Sequence, residues 1–243
     1  MNTKKILIWT LILVPILAVT GFSIWAYTPL GPMPEAIEAL KSSSTVAIEQ
    51  NSWIVFSPLE EQSTTGLIIY PGGRVDPRSY APAAHQIAEN GILTFIVPMP
   101  FNLAVFGSGR ASDIIEQFPE IDRWVIAGHS LGGSMAARYT LRNPDKIEGL
   151  VLWAAYPAAS DDLSNSILRS ASIFGTHDGL VSEQDVLSST TLLPGTNLLH
   201  MIEGGNHAQF GWYGDQAGDN PAEISREEQQ KQVVETTLQV LFE

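Results

Sequence analysis

The chain has 243 residues, no cysteine, 13 basic and 26 acidic side chains, and a net charge of −13. Without cysteine there is no disulfide scaffold, no cysteine nucleophile and no thiolate metal site. The acidic balance excludes the basic patches that nucleic-acid binding requires, and anionic headgroups repel such a body, so it is not expected to lie flat on a membrane.

Lys4 and Lys5 precede Ile6 to Tyr27, a stretch of 22 residues without a charged side chain. At about 1.5 Å rise per residue such a helix can cross a hydrocarbon core of about 30 Å. Pro15 is tolerated in a membrane helix, and Trp9, Trp25 and Tyr27 sit towards the ends, where aromatic side chains favour the interface. The two lysines predict the N-terminus inside and the bulk of the chain outside, giving a single-pass cell-membrane protein with an extracytoplasmic domain. A cleaved signal peptide is the competing reading, but its apolar region is usually shorter, and Ser23-Ile24-Trp25-Ala26 is a poor cleavage site. Residues 1–27 are therefore read as an anchor (or signal sequence), 28–44 as a linker whose segment Thr28 to Pro34 is a proline-stiffened spacer, and 45–243 as one domain.

Beyond the linker, short apolar runs alternate with helical stretches. The predicted strands are Val46–Glu49, Trp53–Phe56, Leu67–Tyr70, Leu93–Val97, Trp124–Ala127, Gly149–Ala154, Ala171–Phe174 and Leu198–Ile202. The predicted helices are Ser79–Glu89, Ser112–Phe118, Leu131–Arg142, Ser182–Ser188 and Ser225–Leu241. Continuous apolar strands such as Leu67-Ile68-Ile69-Tyr70 are those of a parallel sheet buried on both faces, so the expected class is α/β with a mostly parallel sheet covered by helices on both sides.

Gly128-His129-Ser130-Leu131-Gly132 fits the G-x-S-x-G pattern and joins a predicted strand directly to a predicted helix. A serine on that strained turn is lifted above the sheet, with the helix N–H groups aimed at developing negative charge. A serine nucleophile needs a base. His129 is locked on the same turn, His85 lies within a helix, His177 precedes an aspartate and His200 lies inside a strand. His207, in the loop after the last strand, is where a base is required, at a strand's carboxyl end. The aspartate that would hold it in one tautomer is Asp178, after the penultimate strand, with Asp161 and Asp162 as alternatives. For the oxyanion, the donors expected are the Leu131 N–H and one from Pro71-Gly72-Gly73-Arg74, with Gly73 favoured and Arg74 close behind. Met99 to Phe106 and the trio Phe210, Trp212 and Tyr213 either line an acyl pocket or pack the loops. Asp215 to Glu223 has the composition of a solvated loop and matches no calcium-ligand spacing; no metal and no cofactor are expected.

Pro71-Gly72-Gly73, Gly128-His129-Ser130-Leu131-Gly132-Gly133, Gly175-Thr176-His177-Asp178 and Gly205-Asn206-His207 together resemble the α/β-hydrolase superfamily over residues 45 to 242. More narrowly, Tyr70 to Asp76 and Val97 to Ala104 resemble small bacterial membrane-anchored hydrolases related to the dienelactone-hydrolase-like branch. That branch often carries a cysteine nucleophile, and this chain has Ser130 instead, so dienelactone activity is not carried over. The resemblance implies an eight-stranded sheet, a serine–aspartate–histidine triad of Ser130, Asp178 and His207, and ester-type hydrolysis of a small acyl substrate. Only Tyr156 to Arg169 separates the sixth strand from the seventh, which leaves room for a minimal cap or none. Two other functions share these residues or this fold: acyl transfer to a cell-envelope acceptor, and non-catalytic binding.

Overall fold

A computed structural model describes residues 3–60 and 63–242, with side chains from residue 9 onward. The side chains of Lys4 and Lys5, on which the orientation expectation rests, lie outside the described residues.

Helix α1 (Thr3–Ala26) runs through Pro15 without a break and is followed by the short helix α2 (Pro34–Glu38). Eight strands follow: β1 (Val46–Gln50), β2 (Ile54–Pro58), β3 (Thr65–Tyr70), β4 (Leu93–Ile96), β5 (Arg123–His129), β6 (Gly149–Trp153), β7 (Arg169–Gly175) and β8 (Leu198–Ile202). They form one sheet in the order β1-β2-β4-β3-β5-β6-β7-β8. β1 and β2 pair antiparallel, β2 pairs antiparallel with β4, and the remaining pairs are parallel. The helices are α3 (Ala81–Glu89), α4 (Ala111–Gln117), α5 (Leu131–Arg142), α6 (Glu183–Ser189) and α7 (Arg226–Phe242). The stretch predicted as one helix from Ser79 starts as a 3-10 turn, Pro77–Tyr80, capped by the Asp76 carboxylate on the Arg78 N–H.

The alternation of side chains along each strand explains the two-sided burial. Leu67, Ile69, Val125, Ala127, Val151 and Trp153 pack with Ala84, Ile87, Val233 and Val240 of α3 and α7. Ile68, Tyr70, Trp124, Ile126, Leu150 and Leu152 turn to the other face, against Ile114, Met135 and Ala136 of α4 and α5. Because β3 to β8 run parallel, their carboxyl ends share one edge: Tyr70 pairs beside Gly128, His129 beside Trp153, and Gly175 beside Ile202. No helix stands between β6 and β7 among the described residues, so that edge carries no helical cap there.

The segment Thr28 to Pro34 is stitched to the domain. Leu30 donates to the Arg74 carbonyl at 2.8 Å and accepts from the Asp76 N–H at 2.9 Å, and Met33 donates to the Trp212 carbonyl at 2.8 Å. α2 buries Ala36 against the domain.

Candidate active site

Ser130 sits at the elbow between the end of β5 and the start of α5 with φ 52° and ψ −123°. A non-glycine residue in that region is strained and persists only where its surroundings hold it. The Ser130 N–H donates to the Trp153 carbonyl of β6 at 2.9 Å, and its own carbonyl accepts from the Ser134 N–H at 3.2 Å. The glycine before it is equally constrained: a Cβ on Gly128 would lie 2.5 Å from the backbone carbon of Gly132. Ser130 itself is half-buried.

The imidazole of His207 comes to this turn from the loop after β8. Its Nδ1–H donates to Asp178 Oδ2 at 2.8 Å, in a pair whose side chains are 1% and 0% exposed. The other Asp178 oxygen accepts from the N–H groups of Leu180 and Val181 at 2.8 and 2.7 Å. With three donors on it, the carboxylate is fixed and fixes the ring. His207 Nε2 is buried and has no hydrogen-bond partner, so the Ser130 hydroxyl is not bonded to it here. Such contacts commonly tighten only with substrate bound. The ring is nonetheless at the elbow, with its centroid 4.6 Å from that of His129, the neighbour of Ser130.

His129 itself points under the turn. It lies 5.7 Å from Phe210 in a stacked arrangement, and Tyr80 bonds its Nδ1 at 2.8 Å. Burial, and then the neighbouring His207 ring, hold the His129 imidazole well below the usual histidine range, outweighing the opposing effect of the His207 backbone. It is therefore neutral, and the Tyr80 hydroxyl, which accepts from the Gly72 N–H at 2.9 Å, donates to it. Tyr80 thus links the glycine loop after β3 to the elbow. In that loop the Gly72 N–H is engaged by Tyr80 and the Arg74 N–H by the Asn102 carbonyl at 2.7 Å. The Gly73 N–H between them has no acceptor among the described residues. Gly73 also passes directly over Leu131: a Cβ there would lie 3.2 Å from Leu131 Cδ2. Leu131 opens α5, so its N–H has no intrahelical partner.

The competing residues are occupied elsewhere. Asp161 pairs with Arg138 at 3.0 Å, and Asp162 caps Ser164 at the surface. His85 bonds the Ala39 carbonyl, His177 the Pro221 carbonyl and His200 the Gln232 side chain. Phe210, Trp212 and Tyr213 are buried packing residues. A groove of about 900 Å³ between Arg123, Thr140, Ile147 and Leu168 lies at the opposite edge of the sheet and brings none of the candidate residues together. The residues after β5, β7 and β8 meet instead at the carboxyl-end edge of the sheet, with Ser130 half-buried and His207 buried.

One residue escapes the sequence reading. Asp219, inside the acidic stretch taken for a solvated loop, accepts from Gly179 N–H at 3.0 Å, His207 N–H at 3.2 Å and Ala208 N–H at 2.8 Å. One carboxylate thereby clamps the Asp178 loop to the His207 loop. Nothing in local composition separates such an acid from its solvated neighbours. The His207 loop is braced from α7 as well, where Gln229 bonds both the N–H and the carbonyl of Asn206 at 3.0 and 2.7 Å.

The model of the alpha/beta hydrolase family matches residues 66–231, from β3 into α7. The chain belongs to this family. The hydrolase is similar in fold to a dienelactone hydrolase from Anabaena variabilis, at 14% identity and TM-score 0.62, covering 81% of this chain and 99% of that one. A predicted CIB-like hydrolase from Thermoplasma acidophilum aligns at 16% identity and TM-score 0.57, over 79% of this chain and 98% of that one. Esterase 2 of Thermogutta terrifontis, in a form phosphoramylated by tabun, aligns at 11% identity and TM-score 0.59, over 83% of this chain and 97% of that one. No curated protein sequence matches the hydrolase.

Proposed function

We propose that the hydrolase cleaves carboxylic esters through an acyl-enzyme on Ser130, with His207 as base and Asp178 as the acid that orients it. The observation that carries this is the buried His207–Asp178 pair, with its free Nε2, beside a serine held at φ 52°. Nδ1 is committed as donor to Asp178, so Nε2 is the nitrogen left to accept a proton. In the reaction, Nε2 takes the Ser130 proton as Oγ attacks the ester carbonyl. The oxyanion is met by the Leu131 and Gly73 N–H groups. Collapse expels the alcohol, which takes the proton from His207. A water, deprotonated by the same nitrogen, then attacks the acyl-enzyme, and the acid is released as Ser130 Oγ departs and takes the proton back from His207. Several structural neighbours are described as esterases, one of them phosphoramylated by tabun, and an ester substrate suits a site with no helical cap between β6 and β7 among the described residues. The N-terminal helix is long and apolar enough to span a membrane, and the reading places the domain on the extracytoplasmic side.

The test is covalent labelling. A fluorophosphonate probe should mark the wild-type chain and leave Ser130→Ala unmarked. Equal labelling of the two would remove Ser130 from its role, and absence of labelling in folded wild-type protein would favour a binding function.

A further inference from the structure

The end of α1 does not leave the domain behind; it lies against the rim that carries Ser130. The Phe22 ring lies 5.6 Å from Phe101 and 6.5 Å from Phe106, and Tyr27 lies 5.5 Å from Phe101. Asn102 Nδ2 donates to the Ala26 carbonyl at 2.9 Å, and the Arg74 guanidinium bonds the Trp25 and Thr28 carbonyls at 2.9 and 2.8 Å while stacking on the Trp25 ring. These contacts run on into the site: the Asn102 carbonyl takes the Arg74 N–H, and Leu103 lies beside Gly73.

The loop that makes them, Pro100 to Phe106, is shaped for this. Phe101 and Asn102 are consecutive non-glycine residues at φ 57° and 53°, a left-handed conformation that persists only where tertiary contacts hold it. It leaves Val105 and Phe106 about half exposed, at 47% and 55%. From Pro98 to Gly109 there is no charged residue, in a chain with 26 acidic ones. The charges at its edges, Arg74 and Arg110, are both positive. Depth can be read from the helix. Phe22 lies four residues, or about 6 Å of rise, inside the Ala26 end of the span. In a bilayer spanned by α1, rings packed on it would sit at the headgroup–acyl boundary, where apolar faces of interfacial segments bury about 5–10 Å.

We infer that the Pro100–Phe106 loop is a second membrane contact beside α1, which turns the Ser130 rim to the bilayer, so that the acyl substrate is an amphipathic ester dissolved in the lipid interface. The substrate half rests on the hydrolysis proposed above; the surface half does not. The contact is a local rim, which is how an acidic body can touch a bilayer without lying on it.

The absence of cysteine makes the test clean. Full-length Phe106→Cys and Ile167→Cys, each carrying a nitroxide label, are placed in phosphatidylcholine nanodiscs. Ile167 is fully exposed at the opposite edge of the sheet and serves as the reference. Power saturation should show the ratio of oxygen to nickel-chelate accessibility raised several-fold at position 106 over position 167. Should Phe106→Cys fail to fold, Val105→Cys takes its place. Equal ratios would overturn the surface. For the substrate, Val105→Asp combined with Phe106→Asp should lower turnover of bilayer-dissolved p-nitrophenyl palmitate several-fold relative to p-nitrophenyl acetate. An unchanged ratio would overturn the interfacial substrate. Loss of all ester turnover in the unsubstituted chain would strike the hydrolytic reading, while the label depth reports on the surface regardless.

Discussion

Asp178→Asn should lower kcat on p-nitrophenyl acetate by about 10⁴-fold while the protein stays folded. The geometry explains both halves. The asparagine oxygen can keep the two backbone donors that Asp178 now satisfies, from Leu180 and Val181. Its amide nitrogen must then face His207 Nδ1, where Asp178 Oδ2 now accepts at 2.8 Å. A donor in that place forces Nδ1 to accept, the ring proton moves to Nε2, and Nε2 can no longer take a proton from Ser130. The side chain is fully buried and close in shape to the one it replaces, so its packing is retained. Steady-state rates at neutral pH, paired with a thermal unfolding curve, give the answer. A native-like melting temperature with less than about a tenfold loss of rate would mean that the tautomer is not set by Asp178.

Gly132→Ala should destabilise the hydrolase by about 2 kcal/mol or more and remove activity with it, although alanine is the better helix former. Gly132 is the second residue of α5, where the intrinsic gain from alanine is about 1 kcal/mol. Against that gain, its Cβ would lie 2.2 Å from the Tyr70 carbonyl oxygen and 2.4 Å from that of Pro71. Both atoms are backbone, so no side chain can swing aside; α5 must move off β3, or Pro71-Gly72-Gly73 must shift. Overpacking of this kind costs typically about 1–3 kcal/mol and more where backbone meets backbone, so the clash outweighs the propensity. Gly73→Ala is the contrasting case. Its nearest contact, at 3.2 Å, is a terminal methyl of Leu131 that can rotate, and its stability should change by less than about 1 kcal/mol. Urea unfolding of the two variants separates them; equal losses would show that the tight approach of α5 to β3 is not what the elbow requires.

The strands were legible because burial on both faces leaves a signal that survives without context. Leu67 to Tyr70 and Gly149 to Trp153 are continuous apolar runs, and no solvated strand reads that way. The elbow was legible for a related reason: a serine between a strand and a helix needs small flanking residues, and Gly128 and Gly132 supply them in adjacent sequence. Residues 178 and 207 were located by their position after strands, and the structure brings their side chains within hydrogen-bond distance. What stayed hidden depends on tertiary approach. Asp219 acts on two loops distant in the chain, and no spacing rule links it to Gly179 or His207. The helix α2 has five residues, too few to show a period. Thr28 to Pro34 reads as a free spacer because its prolines announce stiffness, while the backbone bonds of Leu30 and Met33 that dock it carry no compositional mark. The packing role of Phe210, Trp212 and Tyr213 was left open for the same reason: an apolar side chain looks alike in a pocket and in a core.

The role of Ser130 can be met at the intermediate it would form. Full-length protein mixed with p-nitrophenyl acetate, quenched in acid within the first turnover and digested, should yield the peptide containing Ser130 heavier by one acetyl group, with that mass absent from His207→Ala treated identically. Acetyl found on another residue, or turnover proceeding with no acetylated peptide, would contradict an acyl-enzyme on Ser130.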